Sequence, residues 1–218
     1  KNYVFKGCTA LNVVIFEEED SELTLGYNNT TTSSSVDAID NCPMFADCPL
    51  DSVFIGRNLT YSEKKSTGYS PFYHNTTLRT VLISDYETAI LENEFYLCTG
   101  LKTVQIGNGV KTIGNWAFSG CQSLEYWSFG SGLTTIGQEA FSDCENVTKI
   151  YSNTATPPVC GSQALDDINK WYCTLYIPKG TSDAYRSAEQ WMEFPFMEES
   201  NATPITSIKI NSSISSLY

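Results

Sequence analysis

The chain has one histidine, His74, and eight cysteines, the residues from which nucleophilic or metal chemistry would have to start. His74 stands in the turn between Phe72 and Asn75, a poor place for the base of a serine or cysteine triad, and none is expected. No two cysteines form a CxxC pair, so neither a zinc ribbon nor a thioredoxin-like centre is written in their spacing. Glu92 with Glu94, and Asp166 with Asp167, are carboxylate pairs of the kind that hydrolyse glycosides. Nothing in their spacing requires that role, and solvated carboxylates are the commoner case. Asp37, Asp40, Asn41, Asp47 and Asp51 cluster in sequence as candidate calcium ligands without matching the DxDxDG loop of an EF-hand. The expectation is a chain with no catalytic residues, no metal and no cofactor, which is not an enzyme.

Composition points the same way. With 218 residues, 41% of them hydrophobic and 13% aromatic, the chain can bury a substantial core as one domain or one array. A formal net charge of -12 argues against nucleic acid or an anionic membrane as partner, since both are held by basic patches. The acidic run Glu17, Glu18, Glu19, Asp20 and Glu22 reads as a solvated loop. No stretch approaches the roughly 18 apolar residues that span a bilayer, and KNYVFKG has no secretory h-region, although a leader could precede Lys1.

The cysteines mark a repeat. CTGLKTVQIGNGVKTIGNWAFSG from Cys98 aligns with CQSLEYWSFGSGLTTIGQEAFSD from Cys121, and a further copy starts at Cys144, a period of 23. One step back, the copy at Asn75 keeps the same apolar frame. The columns are Leu78, Leu101, Leu124 and Val147; Val81, Val104, Trp127 and Ile150; Ile83, Ile106 and Phe129; and Ile90, Ile113 and Ile136. Columns that stay apolar through a fixed period belong to coils that bury their faces on one another. A spine of Phe45, Phe72, Phe95, Phe118 and Phe141 runs through them, and three residues after each comes Cys48, Asn75, Cys98, Cys121 or Cys144. A small buried side chain at that turn can meet otherwise unpaired backbone groups, so these thiols read as structural. Cys42, Cys160 and Cys173 lie outside the column, and a bridge between Cys160 and Cys173 is left open.

Two longer copies precede these, from Cys8 and Cys48. The polar tract Asn28 to Ser35 and the segment Ser62 to Ser70 read as surface loops inserted in them. Phe5 precedes Cys8 as the tail of another repeat, so the N-terminal coil presents an apolar end through which self-association is possible. After Leu175 to Ile177, Pro178 and Gly180 mark a turn, and Ala184, Tyr185, Ala188, Trp191 and Met192 fall at helical spacing up to Pro195. That stretch is expected to be a helix closing the core. MEESNATP then reads as a linker, and ITSIKINSSISSLY as a strand-like tail.

The motif LKTVQIGNGVKTIGNWAFSGC, together with ATPPVCG and CTLYIPKGTSDAYRSAEQW, resembles the BspA-like leucine-rich repeat family of bacterial cell-surface proteins, over about Phe5 to Phe194. Departures are Asn75 for cysteine, Leu91 where other copies have Gly114 and Gly137, and the two inserts. The resemblance implies an α/β solenoid, a right-handed irregular coil with short strands. It would have about six repeats of 23 or more residues, starting near 8, 48, 75, 98, 121 and 144, with a cap over 155–194 and a tail over 195–218. It also implies a secreted or outer-surface protein that binds host or matrix proteins, with no catalytic residues to carry over. The Asn-x-Ser/Thr sequons weigh little in a bacterial protein.

In such a repeat LxxVxI is a strand of the concave sheet, and its side chains alternate between core and solvent. With Val104 and Ile106 inward, Thr103 and Gln105 face out, as do Val13 and Ile15, Ser52 and Phe54, Thr80 and Leu82, Tyr126 and Ser128, and Lys149 and Tyr151, with Tyr176 continuing the row. The candidate binding residues are therefore Ile15, Phe54, Leu82, Gln105, Tyr126, Ser128, Lys149, Tyr151 and Tyr176. An exposed apolar and aromatic face of this kind suits adhesion to a host or matrix protein. The alternatives are a glycan stacked on the tyrosines, or a spacer with no ligand of its own.

Overall fold

The computed structural model describes residues 5–25, 43–61 and 70–200. Outside them lie the polar tract Asn28 to Ser35, the candidate ligands Asp37, Asp40 and Asn41, Cys42, most of the second insert and the tail from Ile205.

The described chain is a parallel β-solenoid. Eight strands form its long sheet: β1 (Val13–Phe16), β3 (Ser52–Ile55), β5 (Thr80–Ile83), β7 (Thr103–Ile106), β9 (Tyr126–Phe129), β11 (Lys149–Ser152), β13 (Thr174–Pro178) and β14 (Phe196–Ser200), paired in that order. A second sheet stacks β6 (Ala89–Ile90), β8 (Thr112–Ile113), β10 (Thr135–Ile136) and β12 (Val159–Cys160), each two residues long. In the two longer coils, β2 (Leu23–Leu25) pairs in parallel with β4 (Leu59–Tyr61).

The columns expected from the period are the core. Leu78, Leu101 and Leu124, Val81, Val104 and Trp127, and Ile83, Ile106 and Phe129 are all fully buried. Strand pairing sets Val81 against Val104 and Val104 against Trp127, and in the second sheet Ile90, Ile113, Ile136 and Cys160 follow one another. Cys160 thus occupies an isoleucine position on the four-stranded sheet, whereas Cys173 adjoins the long sheet, and both are free thiols. The coils approach so closely that a Cβ on Gly109 or Gly132 would sit 1.8 or 2.0 Å from a carbonyl oxygen of the coil before it.

The phenylalanine spine is one continuous stack. Ring centroids are 5.2 Å apart for Phe45 and Phe72, 5.1 Å for Phe72 and Phe95, 5.3 Å for Phe95 and Phe118, and 5.2 Å for Phe118 and Phe141. Phe5 extends it at 5.4 Å from Phe45. Beside it the thiols of Cys98, Cys121 and Cys144 donate to the carbonyls of Phe72, Phe95 and Phe118, at 3.2, 3.4 and 3.3 Å. Asn75 does this and more. Its Nδ2 donates to the carbonyls of Cys48 and Phe45, and its Oδ1 accepts from the Leu78 N–H and the Thr77 hydroxyl.

The expectation of an α/β solenoid with a helical cap needs correction. Among the described residues helix is confined to α1 (Ser182–Ser187) and one 3-10 turn, Trp191–Glu193. Ala188 turns extended and Gln190 takes φ 63°, so the helical spacing is broken in the middle; Ala184 and Met192 stay exposed while Tyr185, Trp191 and Phe194 are buried. The segment read as a linker begins with β14, which pairs with β13 over five residues. Adjacent parallel strands need a crossover, and α1 with the 3-10 turn supplies it.

Replacing Phe118 by Ala should lower stability by about 3–5 kcal/mol, as for other buried aromatics. Asn75→Ala should cost more than Cys121→Ala, which is expected to stay near 1 kcal/mol because it removes one weak thiol donor. Denaturant unfolding of the three variants checks both statements.

Candidate binding face

Register on the long sheet sorts its outward side chains into two rows. One runs Ile15, Phe54, Leu82, Gln105, Ser128, Tyr151, Tyr176 and Glu198; the other runs Val13, Ser52, Thr80, Thr103, Tyr126, Lys149, Thr174 and Phe196. Alternation of core and surface is clean on β5 and β7, where Val81, Ile83, Val104 and Ile106 are buried and their neighbours half-buried.

Two of the nine candidate residues are not available at the surface. Phe54 is 5% exposed, flanked in its row by Ile15 and Leu82. Ser128 is fully buried, because its short side chain lies between Gln105 and Tyr151 in a row of longer ones. Ile15, Leu82, Gln105, Tyr126, Tyr151 and Tyr176 are half-buried, and Lys149 is exposed.

The tyrosines gather. Tyr151 and Tyr176 stack at 4.5 Å between centroids with planes 10° apart, close to the strand spacing of a sheet. Tyr126 meets Tyr151 edge-on, at 6.2 Å and 90°, and its hydroxyl accepts a hydrogen bond from Gln105 Nε2 at 3.0 Å. Partial burial, and then the nearby Tyr126 and Glu198, push the Tyr151 phenol up; burial, Glu198 and Tyr151 do the same for Tyr176 against the opposing pull of Lys149. Both rings therefore stay neutral hydrogen-bond donors at pH 7. The ledge is Gln105, Tyr126, Tyr151 and Tyr176, with Lys149 beside it and Glu198 at the end of the row. Glu198 and the exposed Phe196 were missing from the sequence reading because β14 carries almost no buried side chain that could mark it as a strand.

The residues first singled out for chemistry are placed as follows. His74 sits at φ 55° on the rim of a pocket of about 290 Å³ lined by Asp47, Cys48, Pro49, Asn75, Thr76 and Thr77. The Cys48 thiol there donates to the Phe5 carbonyl, and burial raises its pKa. Asp167 accepts from the Ser142 hydroxyl and the Asp143 N–H, which hold its carboxyl below the usual range. Glu94 is buried inside the array, while Glu92 is half-buried outside it. Among the described residues no three His, Cys, Asp or Glu side chains are grouped to hold a metal ion, and no helix is long and apolar enough to cross a membrane.

Residues 65–169 match the profile of the BspA type leucine-rich repeat region, in six copies. No curated protein matches the chain. Among solved structures, a leucine-rich repeat protein of T. pallidum is 20% identical with a TM-score of 0.43, over 75% of this chain and 62% of that one. A leucine-rich repeat protein from Bacteroides ovatus is 18% identical with a TM-score of 0.42, over 78% and 43%. A leucine-rich cell surface protein from Faecalibacterium prausnitzii is 18% identical with a TM-score of 0.32, over 77% and 48%. The chain thus spans less than two thirds of each of these proteins.

Burial pushes the Cys98 thiol up to about 12 and the Cys121 and Cys144 thiols well above their ordinary value. The thiolate is the reactive form, so these three should resist iodoacetamide at pH 8 in the native protein and react on denaturation, while the exposed Cys8 reacts in both. Peptide mapping of the labelled sites checks it.

Proposed function

Because the chain belongs to the BspA-type leucine-rich repeat family, we propose that it is a non-enzymatic binding module of the bacterial outer surface, recognising a host or matrix protein through the outward face of its long sheet. The observation that carries this reading is the tyrosine ledge. Aromatic rings supply interface energy at little entropic cost, and three of them are held here in fixed geometry by strand register and by Gln105. A protein partner fits the ledge better than a sugar. The facing sides of Tyr151 and Tyr176 are spent on each other at 4.5 Å, so the pair offers outward mainly ring edges and hydroxyls, whereas a sugar stacks on an open ring face.

The test is binding of the chain to arrays of matrix proteins and of glycans, beside a Tyr151→Ala, Tyr176→Ala variant of unchanged thermal stability. A protein hit weakened about tenfold or more in the variant, the loss of a typical hot spot, is expected. A hit retained in full by the variant moves the site off the ledge. Hits on glycans alone overturn the protein reading, and no hit on either array leaves a spacer.

A further inference from the structure

At the step of 23, Glu87 falls in the column of Val110 and Leu133, and Glu94 in that of Ala117 and Ala140. Both glutamates are as deeply placed as those apolar residues, at 3% and 2% exposure. A carboxyl in a core column is costly unless its surroundings bond to it. Here the bonding comes partly from β4 of the longer coil and partly from the backbone of the glutamates' own coil. Glu87 Oε2 accepts the Leu59 N–H at 2.9 Å, and Oε1 accepts the N–H groups of Thr88 and Ala89 at 3.1 and 3.3 Å. Glu94 Oε2 accepts the Leu91 N–H at 2.6 Å, and the Tyr61 side chain bears on its carboxyl. The Glu94 backbone carbonyl accepts from Ser70 Oγ at 2.8 Å, so Ser70, read from sequence as the end of a surface loop, is buried in the same seam. Leu59 and Tyr61 are the two ends of β4: Glu87 holds the first, and the Glu94 carboxyl lies beside the second.

We infer that Glu87 and Glu94 form a proton-dependent latch that seats β4, and through it β2, against the coil that begins at Asn75.

The groups that bear on Glu94 are the Leu91 N–H, the Glu87 carboxyl and Tyr61; those that bear on Glu87 are the N–H groups of Leu59, Thr88 and Ala89. No lysine or arginine among the described residues offsets either carboxyl. Arg57, on the loop before β4, gives its guanidinium to Glu19 and to the Glu17 carbonyl, and Glu92 accepts from Asn93 Nδ2. Two buried carboxyls with no cation beside them among the described residues cannot both ionise cheaply. Burial raises Glu87 to about 7, and burial followed by the charge of Glu87 raises Glu94 to about 8, both from an ordinary value of 4.5. A folded value above the open-state value means that the closed seam binds protons more tightly. Its stabilisation is complete below about 4.5 and is lost as pH rises through 7 for Glu87 and 8 for Glu94. Between those limits each carboxyl multiplies the opening constant by roughly ten per pH unit.

The experiment follows amide exchange at Leu59, Thr60 and Tyr61 between pH 5 and 9, corrected for the intrinsic base dependence, in the wild type and in Glu87→Gln, Glu94→Gln. The wild type should open more readily as pH rises while the neutral variant stays level. An equal slope in the two proteins, or no slope in the wild type, overturns the latch. Should the variant fail to fold, a carbon-13 titration of the wild-type glutamates decides: a Glu94 carboxyl titrating near its ordinary value is incompatible with it. The substitutions leave Tyr126, Tyr151 and Tyr176 untouched, so this outcome and that of the binding arrays are independent.

Discussion

At the corner of every coil a phenylalanine turns its ring into the core, and its carbonyl must be met from the next coil. The chain makes the corner by taking left-handed backbone at the residue before the cysteine or asparagine: Asp47, His74, Leu97, Gly120 and Asp143 all have φ between 55° and 77°. Only one of these is glycine, so the others carry strain that persists because surrounding packing holds it. What holds it is the stacked phenylalanine column and the donor beside it, a thiol in four coils and an amide in one. That single constraint sets the spacing of the coils and the register of both sheets. It therefore also sets the separation of the tyrosine rings on the outward face.

Most of this was legible because it repeats. A column that stays apolar every 23 residues announces its own burial, and the cysteine offset gives the corner. What escaped were places where one element departs from the rule for reasons that a period cannot show. The crossover helix breaks at Ala188 because Gln190 takes left-handed backbone and puts its side chain to other use. β14 is held by backbone pairing with β13, and peptide groups leave no mark on residue type. Phe54 and Ser128 obey the alternation in direction but not in exposure, since their neighbours on adjacent strands close over them. Glu87 and Glu94 were visible as mismatches in two columns, and their signal was the mismatch itself.

The outward face and the seam illustrate two departures carried by one scaffold. On the face, register fixes side chains that point away from the core, and three tyrosines can be held together at small cost because the strands beneath them are fixed by the spine. In the seam, the two longer coils meet the regular ones, and the mismatch in coil shape is filled by polar groups that must bond to one another. The ledge lies within the 23-residue period, whereas the seam sits where the longer coils give way to it.

The end of the described array shows how the repetition stops. In successive coils the N–H groups of Phe95, Phe118 and Phe141 donate to the carbonyls of Ala117, Ala140 and Ala164. The next N–H, that of Leu165, is taken at 2.9 Å by Oε1 of Gln190, whose Nε2 donates to the Gly161 carbonyl at 2.7 Å. One side-chain amide thus offers the donor and the acceptor that a further coil would have presented, with Trp191 packed beside it against Phe129. A forged peptide group of this kind satisfies this corner in place of a neighbouring coil. The long sheet runs on past it through β13 and β14, so at this end the two sides of the solenoid close by different means: a side-chain amide at the corner and backbone pairing on the sheet.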